Sequence, residues 1–309
     1  MNRIAGIIAA VAGVLIIILS VLKVIPSLTT TGIGLILLGV LIVGLSFIPK
    51  PDTGDTVRMS TASSFINIFF SPTEVFQNLR RHPRWLAALL IMWLLSAVFF
   101  NLFLFRLTPE RVTNYTIDKT LEMPMLANNE DARKQIEVGR AEALEQNKNP
   151  VFRAGQSINS FVGQVFLYAF LAAIFLIFAL AMGGQLNYWQ AFSATIYAAF
   201  PIAVIRFVIG TIILFIKDPA DIHPILGQTA LVQDNLGFLF NPAESPVLYT
   251  VLSSLGLLMF YWLWLNSTGL KNAGEKVTPT IAWSATLTIF FVIILFGTFM
   301  SWAFSGFLG

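Results

Sequence analysis

The sequence predicts an all-α, polytopic helical membrane protein with about seven transmembrane helices, a two-span hairpin followed by a five-span bundle. Three observations carry this. The 309 residues are 56% hydrophobic and only 11% charged, against about 25% charged in an ordinary soluble domain. Several apolar runs reach roughly 20 residues, the length that crosses a bilayer. Trp85, Trp189, Trp283 and Tyr249 open such runs, and Tyr261, Trp262, Trp264 and Trp302 lie near their ends, as amphipathic rings do at membrane–water interfaces.

In chain order, the first span covers Ile4 to Ile25 and stops at Pro26; the second runs from Thr31 to Ile48 and ends at PKPDTGD. The first run is longer than a secretory h-region of roughly 7–15 residues and no small-x-small cleavage pattern follows it, so it reads as a retained span. Ala5, Ala9 and Gly13 recur on one face, and the second span carries Gly32, Gly34, Gly39 and Gly44. Small residues let helix backbones approach closely, which predicts a tight hairpin over residues 1–50. A polar linker, 51–64, then leads to a five-span domain over 65–309. Its spans run from Trp85 to Leu107, Ile158 to Met182, Trp189 to Ile216 (interrupted by Pro201), Pro246 to Leu265 and Pro279 to Phe304.

In front of the first of these spans lies FFSPTEVFQNLRRHPRW, residues 69–85. Ser71, Pro72 and Glu74 fit a capping box with proline at the first helical position. Val75, Phe76 and Leu79 share one face, Arg80, Arg81 and His82 occupy the last turn where cations suit the helix dipole, and Pro83 ends the element. The predicted helix, 72–82, is too short to span and reads as an interfacial helix.

Residues 108–157 form the one long polar stretch. Thr108, Pro109 and Glu110 restart a helix, and EDARKQIEVGRAEALEQNK mixes both signs of charge at helical spacing; a solvated helical cap is expected. Residues 217–245 form a proline-rich loop with room for a short interfacial or re-entrant piece.

Composition excludes several chemistries. With no cysteine and two histidines, His82 and His223, disulfides, thiolate catalysis and Cys-based zinc sites are absent. The net charge of +3 fits loops near anionic lipid, and nucleic-acid binding is not expected. No Walker loop, H-E-x-x-H or G-x-S-x-G occurs. DPADIH, Asp218 to His223, superficially suggests a metal but lies in the proline-rich loop, so no metal, cofactor or catalytic residue is assigned and the protein is not read as an enzyme. Arg206 stands out. It sits inside an apolar span five residues after Pro201, with no Asp or Glu inside any predicted span, and an intramembrane arginine is a functional candidate by default. It is the candidate lipid or anion contact. Arg80, Arg81 and Arg84 are the candidate interfacial contacts for lipid or a partner.

Orientation follows from Lys50, Arg58, Arg80, Arg81, Arg84, Lys271 and Lys276, which fall on one side of a seven-span chain. The positive-inside rule makes that side cytoplasmic, and the amino terminus with it, although the basic residues of 108–157 count against this.

FFSPTEVFQNLRRHPRW, GGQLNYWQAFSATIYAAFP (183–201) and NSTGLKNAG (266–274) together resemble the Yip family, the Ypt/Rab-interacting polytopic membrane proteins, and in particular its prokaryotic branch, over residues 65–305. The resemblance implies a five-span helical domain with its amino-terminal side cytosolic, a non-enzymatic scaffold or adaptor role, and no catalytic residue to transfer; a bacterial cytoplasmic (inner) membrane location goes with it. Expected partners are membrane lipids with anionic headgroups, and a protein partner or a second copy. The alternative is a transporter or lipid-handling protein with a cavity near Pro201 and Arg206.

Overall fold

A computed structural model describes residues 2–25, 27–52, 54, 56–123, 126, 129–229, 231–242 and 244–303. They are mostly α-helical, with the longest connections at 46–60 and 217–245: α1 Asn2–Val21, α2 Thr29–Leu45, α3 Thr61–Phe70, α4 Pro72–Arg81, α5 Leu86–Leu107, α6 Pro109–Leu121, α7 Glu130–Val138, α8 Arg140–Lys148, α9 Pro150–Ala181, α10 Tyr188–Ile216, α11 Pro246–Ser253, α12 Leu257–Ala273 and α13 Pro279–Ala303. Among the described residues, five helices are long and apolar enough to cross a membrane: α1, α5, α9, α10 and α13. At 17 residues, α2 is a shorter apolar helix, about 25 Å long at 1.5 Å per residue. The chain is an integral membrane protein.

Two compact units emerge. The first comprises Met1–Leu94, Asn149–Pro201 and Leu265–Ala285, the second Leu95–Lys148, Ile202–Trp264 and Thr286–Gly309.

In the first unit, α1 and α2 form the expected hairpin, and glycine sets its spacing. A Cβ on Gly13 would stand 2.5 Å from the Gly32 carbonyl oxygen, and one on Gly39 2.5 Å from the Gly6 oxygen. Both are closer than atoms approach without displacement, so the backbones touch only because side chains are missing. Gly6 takes the place expected of Ala5 and Ala9; Gly34 instead faces Asn159 of α9, and Gly44 meets nothing within 4 Å. The hairpin is fastened to the rest of the unit at both ends. Thr31 donates to the Gly155 carbonyl (3.3 Å) and accepts from Asn159 (3.2 Å). Trp189 donates its indole N–H to Ile48 O (3.0 Å) and Asn187 its amide to Pro49 O (3.0 Å). Helix α3 begins at Thr61, inside the stretch read as linker. Ser60 caps it by accepting from Ser63 N, and Phe65 stacks on Phe200 with centroids 4.8 Å apart. The centre of the unit is the first half of α10, where residues 188–201 are buried without a break. A helix apolar on every face needs neighbours on every face.

The second unit is built on the second half of α5. Phe103, Leu104 and Leu107 pack with Val112 of α6, Leu214 of α10 and Ile222 in a buried cluster. Arg111 donates to the carbonyls of Pro219, Ala220 and Ile222, holding the proline-rich loop under α6. That loop contains 3-10 turns at Pro219–Asp221, Leu226–Gln228 and Leu236–Leu239.

The span expected from Pro246 to Leu265 is two helices. Helix α11 stops at Ser253, and α12 starts at Leu257 because Asp234 captures its first turn: Leu257 N donates to Asp234 O (3.2 Å) and Leu258 N to Asp234 Oδ2 (2.6 Å). A carboxylate on free N–H groups stabilises a helix start. The capping residue lies more than 20 positions upstream, beyond any local signature. Pro201, expected to interrupt its span, is accommodated inside a continuous α10.

Candidate functional site

The three quoted segments, 69–85, 183–201 and 266–274, converge within the first unit. Helix α4 supplies the scaffold. Pro72, Val75, Phe76 and Leu79 follow the i, i+3, i+4, i+7 spacing of a single helical face and all four are buried. What covers them corrects one expectation. The apolar face assigned to the lipid boundary is filled by protein: a Cβ on Gly269 of α12 would stand 3.0 Å from the Phe76 ring and 3.4 Å from Ala194 of α10. Trp85 meets Phe192 with centroids 5.1 Å apart. The capping box does not close either. Ser71 has φ −136° and ψ 57° and makes no side-chain cap bond; Glu74 N and Val75 N donate to its carbonyl oxygen instead, while Ser71 N closes the preceding helix by donating to Asn67 O. Thr108, by contrast, does cap α6, accepting from Arg111 N.

Above this apolar base, polar side chains lock three elements together. Arg80 pairs with Glu275 at 2.9 Å and Arg81 reaches the same oxygen at 4.0 Å. Gln190, buried on α10, donates to Arg80 O (2.8 Å), and Glu275 N donates to Gln185 O (2.7 Å). The Arg80 guanidinium holds the Glu275 carboxyl below its usual range. Arg80 and Arg81 keep 33% and 40% of their side chains exposed, so the node is accessible. Lys271 and Lys276 are exposed on the same segment, and neither has a salt bridge among the described residues.

Arg84 is differently placed. Its guanidinium donates to Met59 O, Ser64 Oγ and, at 3.5 Å, Asn78 Oδ1. Asn78 also donates to Val57 O and accepts from Met59 N, and His82 Nε2 donates to Thr56 O (2.8 Å). Residues 56–59 are therefore pinned along α4. Arg84 serves the face by fixing its edge.

Arg206 is exposed on α10, in the second unit, beside the exposed Val208, Ile209 and Ile212. Among the described residues it has no ion pair or hydrogen bond. Of the DPADIH stretch, Asp218 caps the turn by accepting from Ala220 N. His223 accepts at Nδ1 from Ile225 N (3.1 Å) and Leu226 N (3.0 Å), so its proton sits on Nε2, 3.1 Å from the Tyr115 hydroxyl. Burial, with Lys119 nearby, pushes this imidazole below its ordinary pKa. Both nitrogens are in use, which leaves no lone pair for a metal.

Sequence reasoning missed Gln185, Gln190 and Glu275. Glu275 was the findable one, a single acid between Lys271 and Lys276, directly after the segment 266–274.

A family model described as the Yip1 domain matches residues 66–302, a span that opens before α4 and includes all three converging segments. No curated protein and no solved structure matches the chain.

Proposed function

The chain belongs to the Yip1 domain family, and from that premise we propose that it is a non-enzymatic scaffold or adaptor of the prokaryotic branch, held in a bacterial cytoplasmic membrane, that uses the face around α4 for contact. One observation carries the reading. The three segments that carry the resemblance meet at a node whose underside is packed apolar protein and whose open side presents Arg80, Arg81, Lys271 and Lys276 beside the acid Glu275. A rigid base with an excess of cations suits recognition of an acidic surface, either an acidic protein segment or anionic headgroups. The positive-inside rule places this face, and the amino terminus, in the cytoplasm.

The test uses the absence of native cysteine. A photocrosslinker at the exposed Gln77 is expected to yield a discrete adduct, with a second copy or another protein, that disappears in Arg80→Glu/Arg81→Glu. Labelling of a Gln77→Cys variant by an impermeant reagent outside intact cells would overturn the orientation.

A lipid-handling reading keeps one observation in its favour, the exposed and unpaired Arg206 amid apolar neighbours. Such a side chain is suited to an anionic lipid group. Lipid scrambling or solute flux in reconstituted vesicles that collapses in Arg206→Ala would replace the scaffold reading with this one.

A further inference from the structure

The first unit contains an open cavity of about 580 Å³, lined by Arg3 and Ile4 of α1, Ser46, Ile48 and Lys50 at the end of the hairpin, and Trp189 of α10. Its polar groups share one character. Arg3 donates through Nε to Ser46 Oγ (3.3 Å) and lies over the Phe47 ring, 4.4 Å from its centroid. That leaves both terminal guanidinium nitrogens without a partner among the described residues. Lys50 Nζ stands 6.0 Å from the Trp189 ring and has no salt bridge among the described residues. Among the described residues no acidic side chain lines the space; Asp52, two residues past Lys50, accepts from Gly54 N. Trp189 is fixed in the wall by its bond to Ile48 O.

The position of the cavity specifies the ligand further. Arg3 precedes the exposed apolar run Ile4, Ile7, Ile8 and Val11, and Lys50 follows α2 and the exposed Phe47. Both cations therefore sit at the end of exposed apolar helix surfaces, and at the end of a membrane-spanning helix a basic side chain reaches the depth of the lipid phosphates. A guanidinium fork with two free nitrogens matches a phosphate's paired oxygens, and the ammonium supplies a second positive charge.

We propose that this cavity binds a phosphate group, with the phosphodiester of an anionic phospholipid as its expected bearer and Ile4, Ile7 and Ile8 alongside its chains. The site needs both the added hairpin and the Yip1 domain, since Arg3 and Lys50 come from outside residues 66–302 and Trp189 from within. It is independent of the adaptor reading.

Native mass spectrometry of the full chain, released from nanodiscs of mixed phosphatidylglycerol and phosphatidylcholine, tests it. The expected result is selective retention of phosphatidylglycerol, reduced about tenfold in Arg3→Gln/Lys50→Gln, roughly the loss of 1.4 kcal/mol, and kept in the charge-conserving Arg3→Lys/Lys50→Arg. A thermal-shift arm with inorganic phosphate separates the sources. Stabilisation by phosphate alone, lost in the same double glutamine variant, assigns the site to a free anion; stabilisation only by the lipid assigns it to the membrane. Equal retention of the two lipids with no response to phosphate overturns the proposal. So does unchanged phosphatidylglycerol retention in the glutamine variant, provided that variant melts like the parent without lipid.

Discussion

The α4 face and the polar segment α6–α8 are both rich in charge, yet they handle it in opposite ways. In α6–α8 the charges neutralise one another. Arg140 bridges Asp118 (2.7 Å) and Glu137 (2.8 Å), and Lys148 reaches Glu110 (2.9 Å) and Glu145 (3.7 Å). Lys119 pairs with Glu122 and Lys134 with Glu130, while Arg111 and Arg133 spend their guanidinium groups on backbone carbonyls. The α4 face sets Arg80 and Arg81 against one carboxylate and leaves Lys271 and Lys276 open. A count of charges would rank the polar segment as the better binding surface. The pairing reverses that ranking, because only unpaired charge projects a field outward.

The comparison extends to what lies underneath, and the largest predicted effect is there. Phe76 is fully buried beneath the α4 face, whereas Val138 on α7 is 82% exposed. Phe76→Ala is expected to destabilise the protein by about 3–5 kcal/mol through lost burial and the cavity left behind, and Val138→Ala by no more than about 0.5 kcal/mol. Denaturation in mixed micelles measures both; equal costs would erase the distinction between a packed base and a solvated cap.

Next comes the pair of arginines. Arg84→Met leaves Met59 O and Ser64 Oγ without their donor, an expected loss of about 1–3 kcal/mol. Arg140→Met removes surface ion pairs, where about 0–1 kcal/mol is at stake. Raised salt should shrink the second effect and spare the first.

Acid separates the regions on the pH axis. His223, which anchors the loop beneath α6, has a folded pKa below its unfolded value of 6.5. The unfolded chain thus binds the proton more readily. Stability from this group is full above that value and declines as pH falls through it toward the depressed folded value. Glu275 is likewise depressed, by Arg80 first; its contribution is present above its unfolded value of 4.5 and is lost only as pH falls through the lower folded value. A melting-temperature profile should therefore show a first decline that His223→Gln flattens, followed by a second, more acidic one that Glu275→Gln flattens. A profile unaltered by His223→Gln contradicts the loop assignment.

The smallest effect is the sharpest for function. Lys271→Gln/Lys276→Gln is expected to leave stability within about 0.5 kcal/mol while weakening the Gln77 crosslink. Loss of folding instead would mark these lysines as structural.

Much of this was legible in the sequence. Apolar runs located the five long helices, the face of Val75, Phe76 and Leu79 came out as drawn, and glycines announced the hairpin, because each rests on local periodicity. What covers a face is a different matter. Lipid and protein are equally good solvents for Phe76, so the pattern alone could not say that Gly269 and Ala194 fill its side. Nor could it show Asp234 starting α12, or Arg84 turned inward while Arg80 and Arg81 stay open.

The sequence by itself determined that this is a helical membrane protein, where its long helices lie, that cysteine chemistry is closed to it, and which family it resembles. All of these follow from residue type and short-range spacing. The tertiary structure decided which charges are spent and which are available, because pairing depends on contacts between segments as far apart as Arg80 and Glu275. It also decided that Arg3, Lys50 and Trp189 line one cavity, since only the docking of the hairpin onto α9 and α10 brings them together.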